Sequence, residues 1–238
     1  ENKINAIHLR AQDSGVMDLS EFTSVINKPK DVGGEMITNF LYKGQIVVIG
    51  GAQKSRKTFL TLNLMRSLSV ENENFLGIPD FVSLGPKPNI LYVQNEGSKL
   101  KFAERIQKIL LHDGPKDNCK IWFKPGIQLD KEDGVRRIRE TVEHNKIEIL
   151  IFDTYQRMHT KEENSSSDTA EVWNAVVELC MEFPNLCIIL LHHFSRKASA
   201  KDKWDALRGS TRMGGEADLG IFMELGPEDK YGKCNNVY

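Results

Sequence analysis

Long apolar runs are missing from this chain of 238 residues. None approaches the ~20 residues that a bilayer-crossing helix needs, and the two most apolar stretches, 147–152 and 186–191, have the length of buried strands. The amino terminus (ENKINAIHLR) lacks the charged-then-apolar layout of an export signal and carries no initiator Met. Cysteine is scarce. Cys119, Cys180, Cys187 and Cys234 are the whole complement, and no two stand at C-x-x-C spacing. That argues against structural zinc and for reduced thiols in a cytoplasmic setting. An excess of either charge is missing too, since 32 Lys and Arg balance 33 Asp and Glu for a formal net charge of −1. A generally polybasic nucleic-acid binder is therefore excluded, and any contact with DNA or RNA must come from a local patch.

What is present is alternation. Residues 1–43 read as a lead-in segment, with a short helix from Asp18 or Ser20 that Lys28-Pro29-Lys30 ends. From residue 44 to 238 apolar strands alternate with amphipathic helices. Strands are expected at 46–49, 89–94, 120–124, 147–152, 186–191 and 217–225, with a hairpin partner beginning at 231–238. Helices are expected at 57–68, 99–111, 134–145 and from Asp168, whose spacing to Glu171 forms a capping box, to about 183. Such alternation predicts an α/β domain with a mostly parallel central sheet and helices on both faces, with antiparallel strands toward the C-terminus. Ligands of such sheets bind beyond the carboxyl ends of the strands.

The first strand of that domain runs into Gly51-Ala52-Gln53-Lys54-Ser55-Arg56-Lys57-Thr58. Seven of these eight positions fit the phosphate-loop pattern G-x-x-x-x-G-K-[ST] between a strand and a helix. The loop, with Phe59 after it, is expected to bind ATP. Its amides would point at the phosphates, Lys57 would reach the β- and γ-phosphates and Thr58 would ligate Mg²⁺. Arg56 replaces the usual glycine, at a position that asks for an unusual backbone angle.

Acidic and basic partners follow on later strand ends. Asp153 closes the apolar strand 149–152, where an aspartate holds the Mg²⁺ shell, although such a residue also caps turns. Glu96, beyond the strand 89–94, is placed to act on the attacking water or simply to face a helix N-terminus. His192-His193 ends the strand 186–191. Adjacent strand residues point to opposite faces, so the pair does not form a zinc site, and His193 is the one expected to sense the γ-phosphate.

Taken in order, Gly-x-x-Lys-Ser-x-Lys-Thr, Leu-Tyr-Val-x-x-Glu, Ile-Phe-Asp-Thr, Leu-Leu-His-His and Leu-Arg-Gly-Ser-Thr resemble the RecA-like ATPases. More closely, they resemble the RepA-type replicative helicases and their AAA-25 relatives, over roughly residues 30–225. The resemblance implies a RecA-like core, a hexameric ring with ATP between neighbouring subunits, Mg²⁺-dependent hydrolysis and translocation on single-stranded DNA. It also implies that Lys57, Glu96, Asp153 and His193 take the catalytic positions, and that Arg208 is the arginine supplied to an adjacent subunit.

Two loops are candidates for the DNA contact. Residues 155–167 hold Arg157, His159 and Lys161, and residues 194–205 hold Arg196, Lys197, Lys201, Lys203 and Trp204, the last available for stacking. A different class of function, motivated by Arg56, is a low-turnover ATP-binding switch or scaffold. A small-molecule kinase is a weaker third reading, because no lid-like insert is recognisable.

Overall fold

A strand that is apolar on both faces must be covered on both faces. The computed structural model meets that demand with a three-layer arrangement. It describes residues 19–24, 34–160, 166–194, 204 and 211–224. A six-stranded sheet is built from β3 (Ile46–Gly51), β4 (Ile90–Gln94), β5 (Cys119–Phe123), β6 (Ile149–Asp153), β7 (Cys187–His193) and β8 (Leu219–Met223). Its order is β5-β4-β6-β7-β3-β8, and every pairing is parallel. The chain therefore has the α/β fold of a RecA-like phosphate-loop core.

The alternation of side chains along β6 shows how the two cores arise. Ile149 and Ile151 join one apolar cluster, while Leu150 and Phe152 join the other. On the first side lie α2 (Lys57–Leu68), through Leu62, Leu64, Met65 and Leu68, and α3 (Lys99–Ile109), through Phe102. On the second lie α4 (Glu132–His144), through Ile138 and Val142, and α5 (Ser166–Glu182), through Val172, Trp173, Val176 and Leu179. Crossovers from β3 and β4 thus use one face. Those from β6 and from β7, whose path to β8 carries α6 (Thr211–Glu216) with buried Met213, use the other. Where they diverge a crevice opens beyond the strand ends, the usual ligand position in such sheets.

The helix and strand bounds differ from the sequence reading by a few residues at most. Ala103 is exposed, because α3 packs through the stripe from Phe102 to Leu110. The antiparallel pair lies before the sheet: β1 (Glu35–Ile37) with β2 (Leu41–Tyr42). These strands fall within the segment read as lead-in, yet Ile37 and Leu41 are fully buried beside Val47 and Ile49. β8 runs parallel to β3, because the long excursion from 194 to 218 leaves room for a crossover. Residues 25–33 and 225–238, including Lys28-Pro29-Lys30 and the hairpin partner expected at 231–238, lie outside the described residues, as does Asp168's side chain. Ahead of α2, α1 (Leu19–Thr23) is a single short turn. No described helix is long and apolar enough to cross a membrane.

Gly134, in the first turn of α4, marks the tightest backbone approach. A Cβ there would sit 1.9 Å from the carbonyl oxygen of Gln128. Gly134→Ala is expected to destabilise the domain by about 3 kcal/mol. For a chain of this size that lowers the thermal midpoint by roughly 6–12 °C; a midpoint within a degree of the wild type would contradict the packing.

Candidate functional site

The phosphate loop forms where an apolar strand meets a helix start. β3 ends at Gly51, loop 52–56 turns, and α2 begins at Lys57. Gly51 is needed for a steric reason, since a Cβ there would meet Ser55 Oγ at 2.6 Å and the Met223 carbonyl at 2.7 Å. Arg56 has the unusual backbone angle that its position asks for, φ 67° and ψ 21°. Lys54, two residues earlier, is also left-handed at φ 65°. Left-handed residues either side of Ser55 are the kind of turn in which backbone amides form an anion cradle, with the Ser55 amide itself donating to the Ala52 carbonyl at 3.2 Å. Such angles cost non-glycine residues about 1 kcal/mol or more each.

Lys57 is 5% exposed and folds back over the loop. Its ammonium donates to the carbonyls of Gly51 (2.9 Å) and Ala52 (2.8 Å) and stands 3.1 Å from His193 Nδ1. Burial pulls its pKa down to about 8, against the pull of Asp153 and Glu96. Register pairing of Gly51 with His193 sets this approach, because β3 and β7 are neighbours in the sheet. His193 faces the cleft. His192 points the other way, is 1% exposed, lies against Tyr155 and is held by burial down to about 4.

The acid–hydroxyl pair joins the start of α2 to the end of β6. Thr58 donates to Asp153 Oδ2 at 2.8 Å, and Tyr92 donates to the same oxygen at 2.6 Å. Asp153 is 4% exposed, and burial pushes its carboxyl above the usual range in spite of these two donors. Tyr92 was not singled out in the sequence. The signal was there: a phenol inside an otherwise apolar strand must find a partner.

Glu96 stands beyond β4, ahead of the Ser98 that precedes α3. Its Oε2 lies 4.0 Å from His193 Nε2, and its Oε1 accepts from Arg157 Nε at 3.2 Å and, more loosely, from Thr154 Oγ1 at 3.4 Å. His193 and Arg157 hold the carboxyl down to about 2, with burial opposing. Arg157 comes from the turn Tyr155–Arg157 that follows β6.

Lys57, Thr58, Glu96, Asp153, Thr154 and His193 line a cleft of about 370 Å³ together with Lys54, Arg56, Phe59, Lys101 and Arg105. Five cations thus face two carboxylates in a chain whose net charge is −1. Phe59 is 41% exposed, with the Arg105 guanidinium 5.4 Å above its ring. Gln53 lines a second cleft beside the first, while Ala52 lines neither.

The residues fit a nucleotide with its divalent ion. A cradle of turned amides, a lysine over it and a hydroxyl 2.8 Å from a carboxylate suit a cation that shares its shell with phosphates. Among the described residues no three His, Cys, Asp or Glu side chains converge as a self-sufficient metal cage.

The loop residues fare differently. His159 is 8% exposed and packs against Tyr155, so it is not offered to a channel. Trp204, expected to stack on bases, packs edge-on against Phe222 at 4.9 Å and above Gly220, because that glycine leaves the space an indole fills. Arg208, Lys161, Arg196, Lys197, Lys201 and Lys203 lie outside the described residues.

Residues 17–199 match the family of AAA domains of the AAA-25 type. The match takes in β3, the phosphate loop and the ends of β4, β6 and β7, all the strands that carry the cleft. The chain accordingly belongs to the AAA domain family, as an ATP-binding ATPase of the AAA type.

Proposed function

We propose that the protein is a Mg²⁺-dependent, ATP-hydrolysing motor of the RepA-like DNA helicase type, acting on single-stranded DNA in replication or recombination. The observation that carries the reading is the convergence of Lys57, Thr58, Glu96, Asp153 and His193 on one cleft from the ends of four adjacent strands. Lys57 binds the β- and γ-phosphates, Glu96 orients the attacking water and takes its proton, and His193 reads the γ-phosphate from beside both. Thr58 and Asp153 would hold Mg²⁺, which neutralises charge developing on the phosphates. The motor domain of this reading spans 44–238 after the lead-in 1–43. It works in the cytoplasm as a ring, hexameric by resemblance, in which Arg208 serves the neighbouring subunit's ATP. ATP turnover stimulated by single-stranded oligonucleotide is the test. A rate indifferent to the oligonucleotide rejects the motor.

One observation favours the second reading, a low-turnover ATP-binding switch. Arg56 occupies a left-handed position with its side chain on the cleft wall. Single-turnover hydrolysis by Arg56→Gly separates the two. The motor reading expects a change of less than about threefold, whereas a gain of tenfold or more, equivalent to ~1.4 kcal/mol of barrier, favours the switch.

A further inference from the structure

Glu96 forms part of the wall between two clefts. One is the phosphate cleft, and the other, of about 590 Å³, is lined by Gln53, Asn95, Lys124, Gly126 and Arg157. The carboxylate reaches both. Oε2 faces His193 at the phosphate cleft, while Oε1 is shared between Arg157 at 3.2 Å, which lines only the second cleft, and Thr154 at 3.4 Å, which lines only the first. Arg157 is 68% exposed and Lys124 is exposed too, so the second cleft offers two solvent-facing cations to an anion.

We propose that the Arg157–Glu96 ion pair is a brake on hydrolysis, released when the phosphodiester backbone of a single strand enters the second cleft and takes the guanidinium. The proposal deepens the reading of the site as a DNA-stimulated ATPase and rests on it. The physical argument is competition. A guanidinium matches phosphate and carboxylate equally well in shape, and a phosphodiester strand brings its charges in a row along Lys124 and Arg157. With Arg157 engaged elsewhere, the side chains left beside Glu96 among the described residues are His193, 4.0 Å from Oε2, and Thr154, 3.4 Å from Oε1, both on the phosphate side. The carboxylate then turns to where the attacking water must stand. Arg157 acts through Glu96 and is a positioning residue. Its place three residues after Thr154, on the turn leaving β6, makes the contact independent of the phosphate loop's own conformation.

The experiment measures steady-state ATP turnover by wild type, Arg157→Ala and Arg157→Lys, with and without a thymidine oligonucleotide, alongside thermal midpoints. Arg157→Ala is expected to raise the DNA-free kcat about three- to fivefold, the scale on which an exposed ion pair holds a side chain. KM for ATP stays within twofold, and the oligonucleotide's further stimulation shrinks by the same factor. Arg157→Lys restores part of the brake, which a merely structural loss would not do. A DNA-free kcat that is unchanged or lower in Arg157→Ala, at a wild-type midpoint and with the wild-type DNA response intact, overturns the brake alone. A wild type that ignores the oligonucleotide overturns the release step together with the motor reading.

Discussion

Replacing Lys57 by alanine is expected to lower ATP turnover by about a hundred- to a thousandfold, the usual loss when one preorganised charge is withdrawn from a transition state. The expectation follows from how little else could do the work. Among the described residues Lys57 is the one ammonium placed over the loop carbonyls of Gly51 and Ala52, and it stands beside His193. Lys54 and Arg56 line the same cleft, but both are exposed. Arginine is not expected to rescue, because its planar fork does not fit a space shaped for a point charge. The wild type should carry a pH signature as well. Its Lys57 has a pKa of about 8 before nucleotide binds, and phosphates raise it. Below pH 8 affinity is level. Above it binding must take up a proton, so affinity falls with rising pH, and Lys57→Ala loses that slope. Turnover near the wild-type rate in Lys57→Ala would reject the assignment of the cleft.

Glu96→Gln is expected to leave ATP bound while hydrolysis falls by about a hundred- to ten-thousandfold, the range of a general base. Equilibrium binding and single-turnover kinetics on the same preparation separate the two effects. Removing a negative charge from beside the phosphates leaves affinity equal or greater; weaker binding would mean that Glu96 holds the cleft together and does not act on water. The same substitution has a signature in acid. The wild-type carboxyl is held down to about 2 by His193 and Arg157. The stability these partners add is present above the ordinary carboxyl value of about 4.3 and is lost as pH falls toward 2. The gap in thermal midpoint between wild type and Glu96→Gln should close over that window.

Much of the scaffold was legible in the sequence because its strands are apolar on both faces and its helices are amphipathic. Those patterns survive tertiary packing. The cleft could be read from spacing, since each candidate closes a strand or follows one, and parallel strands bring their ends to one side. What could not be read was pairing between side chains. Tyr92 meeting Asp153 depends on the registration of Gln94 with Asp153 across β4 and β6. Arg157 could be read as a DNA-contact candidate of the loop 155–167, but nothing local announces that the turn after β6 brings it to Glu96. Trp204 looked free for bases because nothing local announces that Gly220, sixteen positions on, leaves a slot for its ring. The hairpin 35–42 was missed for another reason: its strands are three and two residues long, too short to show a period.

The order of strands carries a consequence for synthesis. β3 is complete once residue 51 has been made, yet its two sheet neighbours are β7 and β8, with Ile46 aligned to Ile188 and Val47 to Leu219. Four aliphatic residues in a row, Ile46 to Ile49, therefore wait on the ribosome for partners some 140 to 170 residues downstream, a costly loop closure and a period of exposure to aggregation. The phosphate loop is made ahead of most of this sheet and is among the last parts of it to be framed. A chain cut before β7 would carry the binding motif without the neighbouring strands that hold it in shape.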